Sequence, residues 1–136
     1  MTREYEAYCE MQREYRNFVQ HNYIPLNNHL YTLNEDIFVP SFLQAIQVNT
    51  PEALQPILHE EHPGIYSFDI LKPEFCNQLL EEVMWFEEWC VKQQVTIQRP
   101  NSMNNYGAIL DDFGFDSFLN RLMTEYISPL STLLFN

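Results

Sequence analysis

Residues 64–92 read GIYSFDILKPEFCNQLLEEVMWFEEWCVK, and this stretch decides the fold class. Ile65 to Leu71 carries β-branched and aromatic residues at the density of a strand. Pro73 then opens the best helix in the chain, predicted to run to about Lys92. At ~100° per residue, Phe75, Leu79, Val83, Phe86 and Cys90 fall within about a quarter-turn of one another. Glu81 and Glu88 project to the opposite side, and Trp85 and Trp89 lie on a flank near Glu82. A strand feeding a long amphipathic helix gives an α+β class.

Working outward, Pro63-Gly64 marks a turn before the strand. Thr50-Pro51-Glu52 has the chemistry of a helix start: a hydroxyl cap, a proline at the first helical position, then an acid. Phe38 to Ile46 predicts another short helix, begun at Pro40 or capped by Ser41. Residues 2–20 read as a helix capped by Thr2, with residues 21–33 as loop. On the other side, Val95-Thr96-Ile97 and Tyr106 to Leu110 are predicted as short strands. Asp116 is predicted to cap a final helix, which Pro129 should kink or restart with Ser128 as the new cap. Three short strands make a poor sheet on their own, so the second half reads as the opening of a larger domain.

The chain has 136 residues, 46% of them hydrophobic, which suffices for a core and excludes wholesale disorder. Net charge is −12, so phosphate backbones and anionic membrane surfaces are repelled; neither nucleic acid nor membrane is an expected partner. Residues 35–98 alone carry eleven acidic and two basic side chains. A solubilising face is the ordinary meaning of such a bias, and docking to a basic partner is the sharper one. The opening residues are rich in Glu and Arg, unlike a secretory leader. Cys9, Cys76 and Cys90 form no C-x-x-C pair; Cys76 and Cys90 are predicted as buried free thiols. An intracellular, cytoplasmic setting is the expectation.

Arg99-Pro100-Asn101-Ser102-Met103-Asn104-Asn105-Tyr106-Gly107 is an uncommon run. It resembles a motif of the 2-oxoglutarate- and iron(II)-dependent oxygenases of the "oxygenase domain-containing protein 2" type, relatives of prolyl and lysyl hydroxylases. The resemblance continues through Gly64 to Phe68, through Lys72-Pro73-Glu74-Phe75-Cys76, and downstream through Ile127-Ser128-Pro129-Leu130. It covers roughly residues 28–135 and implies a double-stranded β-helix (jelly-roll) oxygenase. Such enzymes hold Fe(II) with a His-x-Asp…His triad, bind 2-oxoglutarate and in some cases use ascorbate. In the family the triad follows the segment matched here, and this chain has no His after His62. The expected organisation is a helical segment over residues 1–62, then the N-terminal part of an oxygenase domain over residues 63–136, without the barrel core. No catalytic or metal-binding residue is expected, and neither cofactor is expected to bind this chain alone.

Two other clusters bear on that expectation. His59-Glu60-Glu61-His62 has the spacing of a His-x-carboxylate pair, but it precedes the matched motif and reads as a polar loop. After the motif only Arg121 could anchor a carboxylate, and a surface or helix-pairing role is the plainer reading. Asn104, Asn105 and Tyr106 are the candidate cofactor-binding residues, since amides and a phenol could line a co-substrate pocket in an intact enzyme. The alternative is that the two Asn build a turn while Tyr106 enters the core. The substrate, a protein or a small molecule, is not legible. A rival to the truncated oxygenase is a non-catalytic acidic interaction module built on the same scaffold.

Overall fold

The computed structural model describes residues 2–135. They form two compact units, each assembled from two stretches of chain: Met1–Tyr31 with Gln78–Ser117, and Thr32–Asn77 with Phe118–Asn136. The 62/63 boundary drawn from sequence falls inside a hairpin of the second unit.

In the first unit, α1 spans Arg3–Asn22, and Thr2 caps it by accepting from the Tyr5 amide. Only Tyr15 and Val19 of α1 are buried, so its first three turns leave Tyr5, Tyr8 and Met11 exposed. The helix predicted from Pro73 is α4, Pro73–Lys92, and its inward face includes the expected Phe86 and Cys90. With Val19, Leu30, Phe113 and Phe115 these residues make the core. Flat rings do much of the filling: Phe86 stacks on Phe113 at 4.2 Å between centroids, and Tyr31 on Phe115 at 4.1 Å.

Neither predicted strand forms in this unit. Gln94 takes a left-handed conformation (φ 57°), its amide bonds the Val91 carbonyl, and the Val95 amide reaches back to the Cys90 carbonyl at 2.9 Å. These bonds satisfy the last carbonyls of α4, so the Val95 N–H is spent on the helix end and not on a ladder. Residues 106–109 are irregular, and Leu110–Phe113 is a 3-10 turn closed by Gly114 at φ 114°. A Cβ at Gly114 would stand 3.1 Å from the Tyr31 ring, so the Tyr31–Phe115 stack needs the bare backbone there.

In the second unit, α2 spans Pro40–Val48 and starts at the proline, one of the two starts read from sequence, while Ser41 lies inside the helix and does not cap it. Helix α3, Pro51–Leu54, has the cap read from sequence: Thr50 Oγ1 accepts from the Ala53 amide at 3.2 Å. A 3-10 turn over Gln55–Ile57 follows. Strands β1, His59–His62, and β2, Ile65–Ser67, pair antiparallel across the Pro63-Gly64 turn, pairing His59 with Ser67 and Glu60 with Tyr66. The polar loop expected at His59–His62 is therefore a strand with a bulge at Glu61. The strand predicted to Leu71 is shorter than expected because its partner is only four residues long. It resumes as a single bridge between Phe38 and Leu71.

The C-terminal stretch contains α5 (Asp116–Leu122), a π turn (Met123–Ile127) and α6 (Ser128–Phe135). The interruption expected at Pro129 is thus taken up as a π turn, because the missing proline N–H leaves the carbonyl four residues back without its donor. In the second unit, Phe38, Phe42, Leu54, Phe75, Phe118, Tyr126 and Leu130 make the core, with Phe38 against Tyr126 at 4.4 Å. Cys76, predicted buried, is exposed, because it sits 100° around α4 from Phe75. Cys90 is buried as expected, and burial pushes its thiol up to about 11.

Candidate functional site

The uncommon run at residues 99–107 forms a loop. The Arg99 guanidinium donates to the Gly107 carbonyl at 2.6 Å and closes it at its ends. Inside the loop, Asn101 Oδ1 accepts from the amides of Met103 and Asn104, both at 2.9 Å. This is an Asx turn, and it is built by Asn101 rather than by the Asn104-Asn105 pair. Gly107, at φ 91°, supplies the positive backbone angle at the exit. The tip is thereby presented to solvent: Asn104 and Asn105 are exposed and Tyr106 is 84% exposed. Tyr106 does not enter the core, because the short tie between Arg99 and Gly107 holds the tip outside it.

The remaining chemistry-bearing clusters are occupied or scattered. His59 Nε2 lies 3.6 Å from Glu61 Oε2 on an exposed strand, and Glu61 also accepts from the Ser67 hydroxyl at 2.7 Å. Glu60 points to the turn and accepts from the Gly64 amide. Arg121 pairs with Glu125 at 3.1 Å on the surface and donates to the Leu33 carbonyl. Among the described residues no group of three or more His, Cys, Asp or Glu side chains could hold a metal ion.

One functional-looking group escaped the sequence reading. Glu82 of α4 is fully buried. Its Oε1 accepts from the Tyr31 hydroxyl at 2.6 Å, the Leu26 amide at 3.0 Å and the Tyr23 hydroxyl at 3.3 Å; its Oε2 accepts from the Asn27 amide at 3.0 Å. Four donors and no cation satisfy this carboxylate, so it is a tether for residues 23–31. Burial above all, then the bond donated to Glu82, pushes the Tyr31 phenol far above its ordinary range. The signal was on the helical wheel: Glu82 lies within ~40° of both Phe75 and Phe86. Trp85, read from sequence as lying on a flank of the helix, donates from its indole to the Ile24 carbonyl at 2.9 Å. Trp89 meets Tyr23 edge-on and packs beside Phe18. The tethered segment partly covers both indoles, so they form no open patch.

A second buried carboxylate ties α1 to the 3-10 turn. Arg16 Nε donates to Asp112 Oδ1 at 2.6 Å. Burial raises the Asp112 carboxyl above the ordinary value, and the Arg16 pairing offsets part of that rise.

The family described as "OGFOD2-like domain" matches residues 19–136. The chain belongs to this family. A 2-oxoglutarate and iron-dependent oxygenase domain-containing protein of Arabidopsis thaliana, CP2, is 46% identical over 94% of this chain. A second Arabidopsis protein, ICU11, is 43% identical over 90% of it. The zebrafish (Danio rerio) oxygenase domain-containing protein 2 is 35% identical over 84%. The chain spans about a third of the length of these relatives. No solved structure matches it. Against the iron and 2-oxoglutarate in the relatives' names, the donor set of this OGFOD2-like chain does not fit. Among the described residues, His59, Glu61 and His62 belong to a bulged, exposed strand where no group of three or more metal-ligating side chains forms, and Arg121 is held by Glu125 and the Leu33 carbonyl.

Proposed function

We propose that this chain is the helical N-terminal scaffold of a 2-oxoglutarate- and iron(II)-dependent oxygenase of the hydroxylase-related type, inactive by itself. In this reading the jelly-roll barrel and the His-x-Asp…His site belong to the two-thirds of the family's length that is not matched here. One observation carries it: the family match runs over most of the chain while the described residues contain no metal-ligating cluster. The Arg99–Gly107 loop is then the chain's contribution to the co-substrate pocket. It offers the amides of Asn104 and Asn105 and the phenol of Tyr106, groups that hydrogen-bond a carboxylate.

The test is a pair of assays. Alone, the chain is expected to take up no Fe(II) by calorimetry and to form no succinate from 2-oxoglutarate. Substituted for the matching third of the Arabidopsis CP2 protein, it is expected to support succinate formation. In that fusion, Asn104→Ala, Asn105→Ala and Tyr106→Phe should raise the KM for 2-oxoglutarate. Fe(II) uptake at micromolar concentration by the chain alone, lost on replacing His59 and His62 with Ala, would overturn the reading.

A further inference from the structure

We propose that the outer face of α4, formed by Leu80, Met84 and Val91, is a docking surface for an apolar, base-rimmed face on the part of the family's polypeptide that this chain does not span. The inference rests on the scaffold reading above and names the partner of that scaffold.

Helix α4 is apolar on two sides. One side carries Phe86 and Cys90 into the core of the first unit. On the far side, Leu80, Met84 and Val91 stand within ~40° of one another, about 140–180° around the wheel from Phe75. They are 63%, 61% and 76% exposed. A surface helix ordinarily carries one apolar stripe, so a second one grouped on the opposite side is the feature that points to a further contact. Met84 and Val91, with Glu87, Glu88 and Lys92, line a groove of about 430 Å³.

Charge selects the occupant. Glu81, Glu87 and Glu88 flank the stripe on both sides, and Lys92 is the single base between residues 78 and 92. A second copy laid on the same face would set its own three carboxylates against these, with little cationic relief, in a chain already at net charge −12. A face with apolar side chains at its centre and Lys or Arg at its rim is complementary. The relatives supply a source for it, since about two-thirds of their length lies outside the matched part.

The experiment compares the isolated chain with the fusion described above, in which it replaces the matching third of the Arabidopsis CP2 protein. A triple variant, L80E/M84E/V91E, is expected to leave the thermal midpoint of the isolated chain unchanged and to lower that of the fusion by roughly 5 °C or more. A charge reversal, E81K/E87K/E88K, is expected to lower the fusion's midpoint as well and not that of the isolated chain. An apolar variant that is neutral in an active fusion overturns the docking surface and leaves the scaffold reading standing. Neutral charge reversal overturns the base-rimmed partner. An isolated chain that runs as a dimer by light scattering, and becomes monomeric in the triple variant, overturns the proposal in favour of self-association. An unsubstituted fusion that fails to fold or to form succinate sinks the scaffold reading and this inference with it.

Discussion

Glu82 shows how one side chain can organise a segment that has almost no regular structure. Residues 23–31 contain one 3-10 turn, Asn28–Tyr31, yet two of their amides and two of their phenols meet at a single carboxylate. Replacing Glu82 with Ala leaves those donors facing an apolar void. The expected loss is about 3 kcal/mol or more in urea unfolding at an unchanged m-value. Glu82→Gln should fall between, because one acceptor becomes a donor facing donors. A loss under about 1 kcal/mol for the Ala variant would show that the tether is dispensable. Asp112 gives the pH signature. Its carboxyl is raised in the folded state by burial, so between the ordinary value of about 4 and the raised one the folded chain holds more protons than the unfolded chain. Its contribution is therefore complete below the ordinary value and is lost as pH rises through the folded one. Relative to Asp112→Asn, the native chain should lose stability across that window in urea titrations at successive pH values. A relative gain would mean that the Arg16 pairing outweighs desolvation.

The elements divide by whether their signal is local. The starts of α1, α2 and α3 were readable because a cap or a first-turn proline acts within one turn of chain, and α4 because twenty residues of period 3.6 leave little choice. The predicted strands at 95–97 and 106–110 failed because a strand exists only beside a partner, and β propensity cannot reveal that the Val95 amide caps α4. The converse failure is β1: Glu and His are poor strand formers, yet His59–His62 pairs because the Pro63-Gly64 turn folds β2 back onto it. Gly114 is the point where one element's backbone limits another's packing. Gly114→Ala puts a methyl 3.1 Å from the Tyr31 ring at φ 114°. A loss of about 2 kcal/mol is expected by thermal or urea unfolding, with the Tyr31–Phe115 stack opened. An unchanged midpoint would mean that Tyr31 yields freely.

At the scale of the whole molecule, charge and surface matter more than any single site. No helix among the described residues is long and apolar enough to cross a membrane. Of the eleven acidic side chains between residues 35 and 98, Glu81, Glu87 and Glu88 flank the exposed apolar stripe of α4, and the fusion experiment tests what that stripe meets. Within the candidate site, the Arg99–Gly107 motif carried the family assignment without any structure, because an unusual residue order is a sequence property. The order of residues by itself also determined the long helix and the helix starts, which depend on contacts within a turn or two of chain, while the helix-rich structure with its two-stranded sheet is compatible with the α+β class read from it. Tertiary structure alone decided that Glu82 is buried and satisfied, that Tyr106 faces outward, that Trp85 and Trp89 are covered in part by the segment after α1, and that Cys76 is exposed while Cys90 is not. Each of those outcomes turns on which distant donor, ring or backbone segment arrives at the side chain, and periodicity along one element holds no record of that arrival.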